Sequence, residues 1–284
     1  MSAAPAENGA RRPLVSAGSA RSLLLTVLGE LVLPSGEPVW TSALLHVLRG
    51  VGVEEQTARQ AIARGAAAGW IEGSRRGREV RWEITPAGRL LIEEGTRRVY
   101  SLSTGASAWD GHWLILLITI PHELRAVRKK LYGALSWAGF GNPATSVWLT
   151  PHPERVAEAE RVVDDLGLRA STLSFVGPSS AAGLTDAEIV ERAWDLDALV
   201  AMYDELLRTH TGLRPEPGDP VLFTHVELVS QYQRFPFVDP QLPEELLPDW
   251  VGRRAASMFS KQREEWSAAA HARWREVIAE TSPS

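Results

Sequence analysis

Arginine is concentrated in one short stretch of this chain, between Ile71 and Thr85. Four of the arginines surround Gly77, although the whole chain of 284 residues carries a formal net charge of -5. They are Arg75, Arg76, Arg78 and Arg81. Guanidinium groups bind phosphate oxygens and guanine edges, so a local group of them on an acidic chain indicates a site for a polyanion.

A second set of side chains that can read nucleic acid lies just before this stretch, in a segment with helical periodicity. Ala61 and Ile62 can pack inward there, and Gly69 is suited to end the helix. The polar residues that can project outward are Gln56, Thr57, Arg59, Gln60 and Arg64. Arginine suits guanine and glutamine suits adenine. Arg59 can instead pair with Glu55, four residues earlier, and Arg49 is interpreted as a surface residue.

Two short strands should present the arginines. Val80, Trp82 and Ile84 alternate with charged residues, as a half-buried strand requires, and Gly77 marks the turn. The alternation can also direct Arg81 away from the tip. Thr85 and Pro86 are suited to begin the next helix.

Two more helices are predicted upstream of this segment. One helix should end at Pro34, and a second should cover 39–52. Three helices followed by a hairpin predict a winged helix-turn-helix, in which one helix enters the major groove and the hairpin reaches neighbouring phosphates. A solvated basic turn, or a winged helix that only joins subunits, remains the alternative.

Composition limits the remaining possibilities. The chain has no cysteine, which excludes disulfides and favours a cytoplasmic protein. The longest apolar run, Trp113 to Pro121, is too short to cross a membrane, and Glu30 interrupts the apolar stretch that resembles an export signal. Residues 1–105 carry 13 Lys and Arg against 10 Asp and Glu, whereas the remainder is acidic. A polyanion should therefore bind only to the N-terminal part of the chain.

The middle of the chain reads strand, helix, strand, helix, strand, which predicts a small ferredoxin-like domain. Helical stretches follow, with a break near Trp194. The expected fold class is α+β, with a disordered tail over 1–20, a winged helix over 21–105, a ferredoxin-like α/β domain over 106–178 and a helical C-terminal domain over 179–284.

Three stretches resemble the PaaX-type transcriptional repressors, the regulators of phenylacetic acid catabolism. They are "RQAIARGAAAGWIEGSRRGREVRWEITPAGRLLIEEGTRRVYS", "WDGHWLILLITIPHELRAVRKKLYGALSWAGFGNPATSVWLTPHP" and "RFPFVDPQLPEELLPDWVGRRAASMF". The resemblance implies the same three domains, the central one similar to the CRISPR-associated endoribonuclease fold. It also implies a homodimer that binds a palindromic operator and is released by an aryl-CoA or acyl-CoA thioester, typically phenylacetyl-CoA.

Site residues transfer by position. Arg59 and Arg64 match the arginines of the family's recognition helix, and Gly77 and Arg78 match its wing. The recognition helix is richer in alanine here than in relatives, which weakens any inference about the operator. A CoA thioester needs basic residues near an aromatic pocket. The candidates are Arg125, Arg128, Lys129 and Lys130, with Trp113, Trp137, Phe140 and Trp148 as lining, although tryptophans are commonly core residues.

An enzyme is the main alternative class, because the central fold resembles a nuclease. Metal-dependent nucleases of that fold use an aspartate after the first strand, but Pro121 and His122 stand there, and Asp110 precedes the strand. No zinc, P-loop or nucleophile-elbow motif is present. The seven histidines are interpreted as surface or capping residues. We therefore expect a regulator without cofactor or metal; a metal-dependent nuclease and a protein-interaction module that does not bind DNA remain alternatives.

Overall fold

The computed structural model describes residues 18–77, 79–102, 108–121, 123–180 and 182–282. The described residues form two compact units. One unit contains residues 108–202 and 237–251, and the other contains 18–102, 203–236 and 252–282. The tail expected over 1–20 lies almost entirely outside the described residues.

The first helical segment is interrupted by a wider turn. Helix α1 covers Ala20–Val27, a π-helical turn covers Leu28–Val32, and α2 covers Leu33–Ser35. The prediction that this helix ends at Pro34 was therefore wrong by one residue. Proline has no N–H for the carbonyl of Glu30, four residues earlier, but the ring of His271 lies 2.7 Å from that oxygen and satisfies it instead.

The next elements form the predicted helix-turn-helix and hairpin. Strand β1 covers Val39–Trp40, α3 covers Thr41–Gly50 and α4 covers Glu55–Ala67. They are followed by β2 (Ile71–Arg76), β3 (Glu79–Ile84) and α5 (Pro86–Ser101). The hydroxyl of Thr85 caps α5 with Pro86 at its start, as predicted.

One strand of this region was missed. Residues 39–40 were assigned to the second helix, but Val39 and Trp40 pair with Trp82 and Arg81 of β3. The sheet order is β1-β3-β2, with all strands antiparallel. Two residues are too few to show an alternating pattern, so this strand depends on its partner for its existence.

The core of this unit joins the winged helix to helices from the far end of the chain. Leu24, Leu28, Leu44 and Ile62 pack in one buried cluster, and α10 and α11 contribute to the same cluster. These two helices cover Asp219–Tyr232 and Val251–Thr281. The winged helix therefore buries a second face against the C-terminal helices.

The other unit contains the ferredoxin-like arrangement. Its elements are β4 (Trp113–Ile118), α6 (Arg125–Trp137), β5 (Gly141–Ala144), β6 (Val147–Thr150), α7 (Val156–Asp165) and β7 (Thr172–Gly177). The sheet order is β5-β6-β4-β7, entirely antiparallel. Strand β5 was missed at the sequence level, because the short run "GNPA" has no strand-like alternation. The α+β class is confirmed.

Both faces of this sheet carry apolar side chains. Alternate residues of β4, such as Leu114 and Leu116, pack with α6 and α7, whereas Trp113 packs on the opposite face with α8 (Asp186–Ala193). Helix α9 covers Leu196–His210, so the predicted break near Trp194 is confirmed. Among the described helices, none is long and apolar enough to cross a bilayer.

Candidate nucleic-acid interface

Helix α4 presents the predicted polar residues on one exposed face. Gln56, Thr57, Arg59, Gln60 and Arg64 are all exposed. Ala58, Ala61, Ile62 and Gly65 are buried on the opposite face. This division follows from the 3.6-residue period of the helix and leaves a polar face with two arginines and two glutamines directed to solvent.

Close packing against α1 fixes the position of α4. A Cβ added to Gly65 would lie 3.1 Å from a methyl group of Leu24, so glycine permits the close approach of the two helices. At the end of α4, Gly69 has a φ of 73°, which confirms its predicted role in ending the helix. Helix α4 is thus held by α1 on its buried side.

Arg59 pairs with Glu55 in the free protein. Its Nε and Nη2 atoms donate to the Glu55 carboxylate at 3.1 and 2.9 Å, and Nη1 of Arg49 lies 3.5 Å from the same group. The alternative that Arg59 pairs along its own helix is therefore realised. All three side chains are about half exposed or more, so the pairs stabilise little and a phosphate can displace them.

Arg49 was predicted to be a surface residue, and it is, but its proximity to α4 was missed. It lies in the last turn of α3, six residues before Glu55. The tight turn between α3 and α4 brings the two side chains together, and sequence spacing alone does not show that turn. Arg49 is consequently a further candidate for a phosphate contact.

The wing carries two exposed arginines at its end. Arg75 and Arg76 are the last residues of β2 and pair with Val80 and Glu79 of β3. Gly77 follows with a φ of 62°, a left-handed conformation that glycine adopts without strain. Arg78 lies outside the described residues. Arg75 and Arg76 are therefore exposed to solvent at the end of the hairpin.

Arg81 is directed differently from the other wing arginines. It is half-buried, its Nε donates to the carbonyl of Pro38 at 3.4 Å, and its guanidinium lies 5.8 Å from the centre of the Trp40 ring. The alternation of β3 therefore places Arg81 against β1, away from the hairpin end, which is the alternative that the sequence analysis gave for this residue.

Trp82 anchors the hairpin to the start of α3. Its indole N–H donates to the hydroxyl of Thr41 at 2.9 Å, and that hydroxyl donates to the carbonyl of Val80. A Cβ on Gly73 would lie 2.8 Å from the Trp82 ring, so glycine makes room for the indole to cross β2. The aromatic residue of the wing therefore positions the hairpin relative to the helix-turn-helix.

The candidate effector residues of the other unit lie in several different environments. Trp113 and Trp148 are buried in separate clusters on opposite faces of the sheet, and Phe140 lies with Trp148. Trp137 stacks on Phe237 with ring centres 4.6 Å apart. Arg125, Lys129 and Lys130 are exposed on α6, and Arg128 donates to the carbonyl of Ile120. These aromatic rings do not line one common cavity.

A buried charged cluster in the unit with the winged helix was missed by sequence reasoning. Glu30, in the π-helical turn, accepts hydrogen bonds from Nε and Nη2 of Arg263 at 3.0 and 3.1 Å, and its other contact is the ring of His225 at 3.1 Å. Burial alone would raise the pKa of Glu30, but the hydrogen bond with His225 and the charge of Arg263 outweigh burial and hold that pKa below its ordinary value.

The interpretation of the histidines as surface or capping residues was wrong for three of them. His225 and His210 are almost completely buried, and His152 is 9 % exposed. His225 meets Glu30, His210 meets Gln231, and His152 meets the carbonyl of Gln241. In each of the three, Nε2 meets a polar group that is distant in the sequence, and no local pattern reveals such a partner.

The geometry of the front of the chain defines a class of protein. A helix-turn-helix followed by a hairpin that pairs with a strand between the first two helices is a winged-helix protein, and the polar face of α4 with the arginine wing is the surface that such proteins use on nucleic acid. Family models match nearly the whole chain in three parts. They are PaaX-like protein over 19–88, the PaaX protein central Cas2-like domain over 106–190 and the PaaX-like protein C-terminal domain over 194–276.

The chain belongs to the PaaX family of transcriptional repressors. It is 30% identical over 254 residues to the transcriptional repressor PaaX of Escherichia coli (strain K12), covering 84% of this chain and 78% of the relative. The resemblance inferred from the sequence is confirmed, and so is the expectation of a regulator rather than an enzyme. The fold is also similar to that of the uncharacterized protein Rv0674 from Mycobacterium tuberculosis, with a TM-score of 0.59, 21% identity, and 91% and 98% of the two chains covered.

Proposed function

We propose that this chain is a homodimeric repressor that binds a two-fold symmetric operator through α4 and the wing. The observation that carries the proposal is the single exposed face that holds Gln56, Arg59, Gln60 and Arg64. A helix of this size fits the major groove, where arginine and glutamine side chains distinguish base pairs. Arg75 and Arg76 then reach phosphates beside the groove, with Thr57, Arg78 and Arg81 as further contacts.

Arg59 is proposed to exchange its partner when DNA binds. Its bond to Glu55 is exposed and therefore weak, whereas a bidentate bond to guanine discriminates between bases. In the free protein, the pairing with Glu55 holds the guanidinium along the helix axis. Glu55 therefore opposes nonspecific phosphate binding, because its charge repels the DNA backbone wherever Arg59 has no base to contact.

Replacing Arg59 with alanine should weaken operator binding by about 1–3 kcal/mol and relax the base preference at one position of each half-site. Competition binding with a set of operator duplexes, each with one base pair changed, measures both effects. Arg125→Ala, which removes an exposed arginine from α6, should leave the profile unchanged. A profile of Arg59→Ala that matches the wild-type profile at every position contradicts the assignment of α4 as the reading helix.

The edge strand β7 supports the homodimer. It bonds only to β4 in the described sheet, and Leu173, Phe175 and Val176 are 60%, 53% and 57% exposed. Edge strands are normally protected by charges or proline, and "TLSFVG" has neither. An antiparallel pairing of β7 with β7 of a second copy obeys two-fold symmetry, satisfies the free backbone groups and covers these side chains.

Phe175→Asp should convert the dimer to a monomer, because two carboxylates would then meet across the two-fold axis in a desolvated surface. Sedimentation velocity at micromolar concentration measures the change. Val156→Asp is the matched control, since Val156 is 42% exposed at the start of α7 and accepts an acidic residue there. If Phe175→Asp sediments like the wild-type protein, β7 is not the dimer interface.

The effector is proposed to be an aryl-CoA or acyl-CoA thioester that favours a form of the dimer with misplaced recognition helices. A coupling free energy of about 1–3 kcal/mol would weaken operator binding roughly 5- to 150-fold. The exposed cations Arg125, Lys129 and Lys130 of α6, with Arg128, are suited to the phosphates of CoA. The aromatic candidates Trp113, Trp137, Phe140 and Trp148 would have to rearrange to bind an aryl group together, because they pack in different places.

The test of the proposed function is binding of the protein to the duplex upstream of its own gene, with and without phenylacetyl-CoA. We expect a complex in the absence of the thioester and weaker binding in its presence. A protein that joins subunits without touching DNA would give no complex in either case.

A further inference from the structure

A cavity lies between the winged helix and the C-terminal helices, within a single compact unit. It has a volume of about 110 Å³, and its walls come from α1 with the π-helical turn, from α5, and from α10 and α11. Leu25, Ile92, Val99, Val229 and Phe259 make most of its surface apolar. This volume is below the roughly 150 Å³ of an apolar cavity that holds benzene, so the cavity has the scale of a short acyl group, and an aryl ring would also occupy its open side.

One end of the cavity is polar and charged. Glu30, Tyr100 and Arg263 lie there, with the Arg263 guanidinium 5.4 Å from the centre of the Tyr100 ring. Arg263 uses Nε and Nη2 to hold Glu30, and Nη1 has no hydrogen bond within the described part of the chain. A donor that is fixed by a buried carboxylate and still has an unused N–H is suited to a carbonyl oxygen.

A second, more open hollow adjoins the polar end. It measures about 490 Å³, shares Tyr100 and Arg263 with the cavity, and is bordered by Ser260 and Ser267 of α11. Serine hydroxyls can bond amide groups of an extended chain. The two spaces together match a ligand with an apolar head, a carbonyl beside it and a longer polar arm.

We propose that this cavity, and not the basic and aromatic candidates of the ferredoxin-like unit, binds the thioester effector, with the acyl group in the cavity, Nη1 of Arg263 donating to its carbonyl oxygen and the arm lying along Ser260 and Ser267. The inference rests on the proposed function, because it assigns a place to that effector. It goes beyond that function by naming the site and the group that recognises the thioester.

The position of the cavity explains how its occupant reaches the DNA-binding surface. Leu25 and Glu30 in its wall belong to the same continuous helical segment as Leu24, which touches α4 at Gly65. The segment contains the π-helical turn Leu28–Val32, and single π-helical turns inside helices frequently lie at functional sites. An acyl group that displaces this segment therefore moves the buried side of the recognition helix directly.

The proposal is tested with a substitution that fills the cavity. Thr96 is exposed at its rim on α5, so Thr96→Trp can place an indole inside it without removing a core residue. We expect this variant to bind phenylacetyl-CoA, and the truncated thioester S-phenylacetyl-N-acetylcysteamine, at least tenfold more weakly by calorimetry. Thr211→Trp, at an exposed position after α9, is the matched control and should bind both like the wild-type protein.

Photolabelling provides an independent result if Thr96→Trp does not fold. A phenylacetyl-CoA analogue with a diazirine on its ring should label wild-type peptides from α5 or α11. The cavity assignment is overturned if labelling is confined to residues 113–148. It is also overturned if the truncated thioester binds equally to Thr96→Trp and to the wild-type protein, or if the wild-type protein binds neither thioester. DNA binding is measured in a separate arm without thioester, so its failure would count against the proposed function alone.

Discussion

We expect the affinity of the protein for its proposed operator to fall roughly a thousandfold or more when the salt concentration is raised from about 50 to about 200 mM. Each copy of the chain offers Arg59, Arg64, Arg75 and Arg76 at an exposed surface, and a dimer doubles that number. About 6–10 phosphate contacts release a corresponding number of counterions, which produces a steep dependence of the binding constant on salt. Fluorescence anisotropy titrations at several salt concentrations give the slope.

The salt slope also identifies which arginines contact phosphate. Arg75→Ala combined with Arg76→Ala removes two contacts per chain, so the slope of log K against log salt should decrease by roughly four for the dimer. The control pair Arg125→Ala with Lys130→Ala removes the same charge from exposed positions on α6 and should leave the slope almost unchanged. An affinity that does not respond to salt would contradict the electrostatic account of the wing.

Glu30→Gln should lower the free energy of unfolding by about 3 kcal/mol, because removing one member of a buried ion pair leaves the other charge uncompensated. The Glu30 side chain is 12% exposed, Arg263 is 30% exposed and His225 is fully buried, so water replaces little of the lost interaction. Denaturation with urea, monitored by circular dichroism, measures the difference. Glu37→Gln removes an exposed carboxylate from the same unit and should change the unfolding free energy by less than about 0.5 kcal/mol.

The pH dependence of that stability has a defined sign. Burial would raise the pKa of Glu30, but the bonds with His225 and Arg263 lower it below its value in the unfolded chain. The ion pair therefore stabilises the fold fully above the unfolded value, and its contribution is lost as the pH falls through the lower, folded value. Glu30→Gln should lose this acid-side dependence. Equal stability of the variant and the wild-type protein at neutral pH would contradict the role given to the cluster.

The winged-helix part of the fold was predictable because local patterns determine it. The outward face of α4 followed from the period of "EEQTARQAIARGAAAG", and the hairpin followed from alternation around Gly77. The same alternation warned that Arg81 could turn away from the tip, and the structure places it against Trp40. The arginine–glutamate pair on α4 was also foreseeable from its spacing of four residues.

Elements that depend on distant partners could not be predicted from the sequence. Strand β1 exists because Val39 and Trp40 meet β3, forty residues further along the chain. The cluster around Glu30 assembles residues 195 and 233 positions away, so neither the buried histidine nor the cavity has a local signature. In the sequence, Glu30 stands out only because it interrupts an apolar run. That interruption is the one sign in the sequence that a charged side chain is buried there.

A comparison of two duplexes decides whether α4 and the wing read a specific sequence. The wild-type protein is titrated, at about 150 mM salt, against the duplex from upstream of its own gene and against a shuffled duplex of the same length and composition. We predict that the native duplex binds at least about a thousandfold more tightly, as specific sites do for such regulators. Equal affinity for the two duplexes, or no binding to either, would contradict the claim.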